Sequence, residues 1–188
     1  MTVSAALASR LQESFGLTRG VVTIVPADPV WPVVFHQLAA ELLPALPDSV
    51  VTVEHIGSTA VPGLPAKPIL DLAVGVRPDA DPENASQALE DFGFLRRADA
   101  DGAELDRNFG LELAERVRLV NAHLVRYAGP QWSWYVLFRD RLRADVRARD
   151  EYARIKGDLA GRFGSDRRSY VAGKTGFVQA VASGLPRG

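Results

Sequence analysis

An aspartate interrupts an otherwise apolar stretch, Ile69-Leu70-Asp71-Leu72-Ala73-Val74-Gly75-Val76, that reads as a β-strand. A carboxylate inside such a strand is costly to bury unless it is paired, hydrogen-bonded or bound to a metal ion. Immediately upstream, Val50 to Ile56 reads as a second strand, and Gly57 to Pro68 as a loop rich in glycine and proline between the two. A Gly57-Ser58 turn directly after a strand lets a phosphate approach backbone N–H groups and a hydroxyl. Lys67 adds a compact positive charge suited to a polyphosphate. A strand-borne aspartate beside such a loop is a natural Mg²⁺ ligand.

The remaining sequence supplies elements to support this strand, loop and strand. Leu7, Leu11 and Phe15 repeat every four residues, which predicts an opening helix over Ser4 to Phe15. Val21 to Val25 predicts a short strand, and Asp28-Pro29 a capped helix to about Ala45 with Trp31, Phe35, Leu38 and Leu42 buried. Asp81-Pro82-Glu83 starts a further helix that Gly93 closes. Phe94 to Arg97, Leu105 to Leu113 and Val117 to Tyr127 predict more strands, and residues 131–184 three helices with breaks near Ala148 and Gly164. Mixed β and α followed by all α predicts an α+β domain, one mixed sheet covered by helices of the same chain.

Composition removes several classes of chemistry. The 188 residues are 47% hydrophobic and 24% charged, as in an ordinary globular protein, and one domain of this length can bury a sufficient core. With no cysteine there is no thiolate nucleophile, redox pair or cysteine-ligated metal. No stretch approaches the roughly 18 apolar residues of a membrane span, and residues 1–20 do not resemble a signal peptide, so a cytoplasmic protein without membrane contact is expected. A net charge of −1 gives no global attraction to nucleic acid. Of 22 basic residues only Lys67, Lys156 and Lys174 are lysine.

The run from His55 to Asp71, His-Ile-Gly-Ser-Thr-Ala-Val-Pro-Gly-Leu-Pro-Ala-Lys-Pro-Ile-Leu-Asp, closely resembles the signature of the GrpB family. The resemblance extends to Asp28-Pro29-Val30-Trp31-Pro32, Asn121-Ala122-His123-Leu124-Val125, Leu137-Phe138-Arg139-Asp140 and Tyr170 through Phe177, and leaves out the opening helix. It implies a nucleotidyltransferase-type fold, and a similar domain is fused to some bacterial dephospho-coenzyme A kinases, which points toward nucleotide or coenzyme A chemistry. Active members of that superfamily hold two metal ions with a pair of carboxylates two residues apart on this strand. Here Ile69 and Ala73 flank Asp71, so half of that clamp is missing. Glu54, Glu112 or His123 would have to complete it from neighbouring strands. Glu54 and His55 face opposite sides of their strand, so at most one accompanies Gly57-Ser58.

The site expected from these readings has Asp71 as catalytic residue and, with Glu54, as Mg²⁺ ligand. Gly57, Ser58, Thr59, Lys67, His123, Arg139, Tyr170 and Lys174 would bind a nucleotide or other phosphorylated small molecule. Tyr170 and Lys174, four apart, share a helix face. Against it stand plainer readings: a tight turn at Gly57, a structural Asp71, and a core histidine at 123. Lys156 is expected on a charged helix surface, and His36 on the surface of its helix. Gly173-Lys174-Thr175 resembles the end of a P-loop, but Arg168 stands where its first glycine belongs. Arg139, Arg143 and Arg147 recur every four residues among acidic side chains, which favours a solvated face over a nucleic-acid surface, with Arg139 alone turned inward. The competing function is a non-catalytic ligand-binding or partner module that has lost the metal clamp. Acceptor, preferred nucleotide and oligomeric state are not encoded in any motif.

Overall fold

The computed structural model describes residues 3–97, 104–112 and 116–184. Its centre is a five-stranded sheet built from β2 (Val50–Ile56), β3 (Leu70–Val76), β7 (Val120–Arg126), β5 (Asp106–Leu111) and β4 (Leu95–Arg96), in that spatial order. β3 and β7 are parallel and every other neighbouring pair is antiparallel. A separate two-stranded ribbon joins β1 (Leu17–Thr18) to β6 (Val117–Arg118). This is the α+β arrangement expected from the element order.

One face of the sheet is apolar. Leu70, Leu72, Val74 and Val76 from β3 share it with Val120, Ala122 and Leu124 from β7, and all are fully buried. Against them pack α1 (Ala5–Ser14), α2 (Trp31–Leu42) and α3 (Pro82–Phe92), which together close the largest core cluster. The caps follow local chemistry: the Asp81 side chain accepts from the Glu83 N–H, and Gly93 ends α3 at φ 112°. Trp31, Phe35, Leu38 and Leu42 are buried as expected, joined by Val34 and Ala39. His36 lies on the exposed side of α2.

The opposite face is polar where the site forms. Register places Ile56, Asp71 and Asn121 in one cross-strand row, and Glu54, Ala73, His123 and Asn108 in the next. Over this face lies α4 (Pro130–Ala144), whose Trp132 packs on Ile56, Ala73 and Val125. α5 (Val146–Arg162) and α6 (Arg167–Ser183) follow and enclose a second core with Val61 and Leu64 of the loop.

Four expectations differ. Val21 to Val25 forms no strand; only Val25 bridges to Ala66, and the Val22 N–H donates to Gly164 O instead of to the sheet. The expected strand from Val117 to Tyr127 divides at Leu119, whose N–H donates to Leu111 O and whose carbonyl accepts from Leu70, so β6 peels away to pair with β1. The predicted strand over Leu105 to Leu113 is observed as Asp106–Leu111, with Leu113 outside the described residues. The break between α4 and α5 falls at Asp145 and not near Ala148, because Asp145 ends one helix and its side chain caps the next through the Ala148 N–H. Among the described residues, no helix is long and apolar enough to cross a membrane.

Candidate functional site

The loop after β2 turns on Gly57, at φ 71° and ψ −168°. A Cβ built there would lie 2.5 Å from Asp71 Oδ2, so both the backbone angle and the approach of Asp71 require glycine. Asp71 Oδ1 accepts a 2.7 Å hydrogen bond from the Asn121 amide, and the Asn121 carbonyl accepts in turn from Arg118 Nη1 at 3.1 Å. Asn121 is the neighbour the parallel register dictates for Asp71.

Between this row and the helical layer lies a cleft of about 370 Å³. Gly57, Ser58, Thr59, Lys67, Asp71 and His123 reach it from the sheet side, and Tyr135, Tyr152, Lys156, Tyr170 and Lys174 from α4, α5 and α6. All three lysines of the chain therefore converge on one space, while Asp71 is the one acidic residue among its described lining residues. Lys67 Nζ and Lys174 Nζ lie 5.6 and 5.8 Å from the centre of the Tyr170 ring, and Lys156 Nζ lies 4.6 Å from that of Tyr152.

Burial and crowding weaken the hold of the Lys156 and Lys67 ammonium groups on their protons. Burial first, then Lys174 and Lys67, lower the pKa of Lys156 to about 7. Burial lowers Lys67 to about 8 against the opposing pull of Asp71, with Lys174, Arg167 and Arg118 adding repulsion. A space with this much unbalanced positive charge is suited to a multiply charged anion. Burial likewise raises the Tyr170 phenol to about 12. Tyr152, raised by burial, forms a side-chain hydrogen bond with Ser58.

Lys156 corrects a sequence expectation. It is 2% exposed and donates to Pro65 O, tying α5 to the loop. Its rarity was the available signal, since it is one of three lysines among 22 basic residues. Asn121, Tyr135 and Tyr152 carried no comparable mark.

Other expected residues are placed elsewhere. Thr59 borders the cleft, yet its hydroxyl hydrogen-bonds His55 Nε2 at 2.9 Å and Ile69 O at 3.5 Å. His55 stacks on Phe35 on the apolar side, and burial, then Arg143 and Arg139, lower its pKa to about 3, so it is neutral. Arg139 is turned inward but does not line the cleft; Nη1 donates to Glu54 Oε2 at 2.6 Å and to His55 O at 2.9 Å. Glu54 is thus held by an arginine, away from Asp71's cleft. Arg143 is exposed, as expected of a solvated face, and in addition donates twice to Ala60 O.

A divalent metal at Asp71 would need further oxygen or nitrogen donors. Glu54 is engaged by Arg139, and among the described residues no three His, Asp or Glu side chains are grouped to hold a metal ion. This donor set does not fit the two-metal clamp.

An α+β sheet whose Gly-Ser loop and helical layer enclose an ammonium-lined cleft defines the class of protein. Residues 21–183 match the family described as GrpB protein, and the chain belongs to that family. It is 31% identical to the glutamate-rich protein GrpB of Alkalihalophilus pseudofirmus, over 88% of this chain and 97% of that one. It is 29% identical to a dephospho-CoA kinase of Mycobacterium tuberculosis over 84% of its own length, spanning only 44% of that enzyme. The crystal structure of the conserved protein GrpB from Enterococcus faecalis superposes with a TM-score of 0.75 at 25% identity, covering 86% of this chain and 96% of the other. α1 precedes the family match.

Proposed function

We propose that the cleft binds a phosphorylated small molecule of the nucleotide class, and that ammonium groups, in place of a divalent metal, neutralise its charge. The observation that carries this reading is the meeting of Lys67, Lys156 and Lys174 in one space with Asp71 as the single acidic residue among its described lining residues. Ser58 lines the cleft on the loop side, and Trp134, Tyr135 and Phe138 offer apolar surface for an organic moiety. The relative that is a dephospho-CoA kinase makes coenzyme A a second ligand worth testing beside ATP.

Calorimetric titration with ATP and with coenzyme A, each with Mg²⁺ and again with EDTA, tests the reading. Binding that persists in EDTA and weakens at least tenfold in Lys174→Gln is expected. Binding that requires Mg²⁺ and is lost in Asp71→Asn would establish the metal-dependent nucleotidyltransferase reading in its place. No binding of either ligand would leave the ammonium cluster without this role.

A further inference from the structure

The cleft contains a second, independent constellation. His123 Nδ1 lies 3.0 Å from Asp106 Oδ1 and 2.9 Å from the Tyr135 hydroxyl, which itself donates to Asp106 Oδ2 at 2.7 Å. The proton count in this network has one solution for a neutral ring. An ionised Asp106 only accepts, and the single Tyr135 proton goes to Asp106. His123 must therefore carry its proton on Nδ1 and share it between the carboxylate and the phenol oxygen. Burial and the Asp106 carboxylate push the Tyr135 phenol far up, which keeps it a donor. Nε2 is left with a free lone pair, on a side chain that is 20% exposed and borders the cleft.

Resting on the reading of the cleft as a phosphate site, we infer that His123 is a general base for cleavage of a bound phosphoanhydride, oriented by Asp106 and Tyr135. A water oxygen attacks phosphorus and gives one proton to Nε2. The new O–P bond forms as the bridging P–O bond breaks, with its electron pair going to the leaving phosphate oxygen. The proton then returns from Nε2 to solvent. The lysines balance the charge that a metal ion balances elsewhere.

The test combines two measurements on the full chain. Long-range ¹H–¹⁵N spectra of the wild type should show His123 protonated on Nδ1 and bare at Nε2 when neutral, whereas the opposite tautomer overturns the assignment. With protein in excess over ATP in EDTA, ³¹P spectra should show a single turnover to a shorter nucleotide plus phosphate or pyrophosphate. Relative to wild type, His123→Gln should slow it about 100-fold and Asp106→Asn should slow it as well, while ATP affinity in both stays within a factor of about three of wild type. ATP bound without turnover above His123→Gln sinks the general base and spares the binding site; failure to bind ATP sinks both. Should His123→Gln misfold by circular dichroism, Tyr135→Phe, together with the wild-type tautomer, decides.

Discussion

Gly57 carries the tightest steric demand near the site, since its positive φ and the 2.5 Å gap to Asp71 coincide. Gly57→Ala should cost about 2 kcal/mol or more, read as a lower urea midpoint at unchanged slope. An unchanged midpoint would show that the loop adapts. The turn itself was legible, because Gly-Ser after a β-branched run has few other readings. The destination of Lys156 was not. Helical periodicity gives the face of α5, but whether that face meets solvent or the loop depends on a docking that local pattern does not specify. His123 was identifiable as a polar residue in an apolar strand, yet its partners Asp106 and Tyr135 come from β5 and α4, and the β5–β7 register and the docking of α4 bring them within hydrogen-bonding distance.

At the level of elements, α4 is secured to the edge strand by arginines instead of by apolar side chains alone. Arg139 reaches Glu54 and His55 O, and Arg143 reaches Ala60 O. Arg139→Ala removes the ion pair to Glu54 and the hydrogen bond to His55 O while Asp140 keeps Arg143, and should lower stability by about 1 kcal/mol. It should also raise amide exchange in Ile56 to Ala60 without altering exchange in α1 or α2. Uniform change across the protein would refute this local role. The four-residue repeat of Arg139, Arg143 and Arg147 looked like a solvated stripe because intervening acids balance its charge. Carbonyl acceptors at helix contacts have no sequence signature, which is why the hold of the exposed Arg143 on Ala60 O was not legible. Strand existence was easier to read than strand division: Leu119 fits an apolar run, and only the pairing of Val117 and Arg118 with β1 separates β6 from β7.

For the whole molecule, lysine burial links folding and binding to pH with opposite signs. Lys156 and Lys67 titrate near 7 and 8 in the folded chain, below the ordinary value of 10.5 that applies unfolded. The unfolded state therefore binds more protons between about pH 7 and 10.5, so this contribution to stability rises with pH over that window and is least below pH 7. Anion binding favours the charged lysines, so affinity should fall as pH rises through 7 to 9. Urea titrations and calorimetry at pH 6.5 and 9 should show these two opposing trends, and Lys156→Met should flatten both. Parallel trends would contradict the assignment.

The three ammonium groups come from positions 67, 156 and 174, that is, from a loop on the sheet and from two helices that reach the sheet only by docking. Left empty, the cleft presses like charges together across the seam between these layers. A polyanion bound as proposed would reverse the sign of that contact and act as a removable rivet. The seam should therefore open more readily when the ligand is scarce, making the hold of the C-terminal helices a gauge of ligand supply.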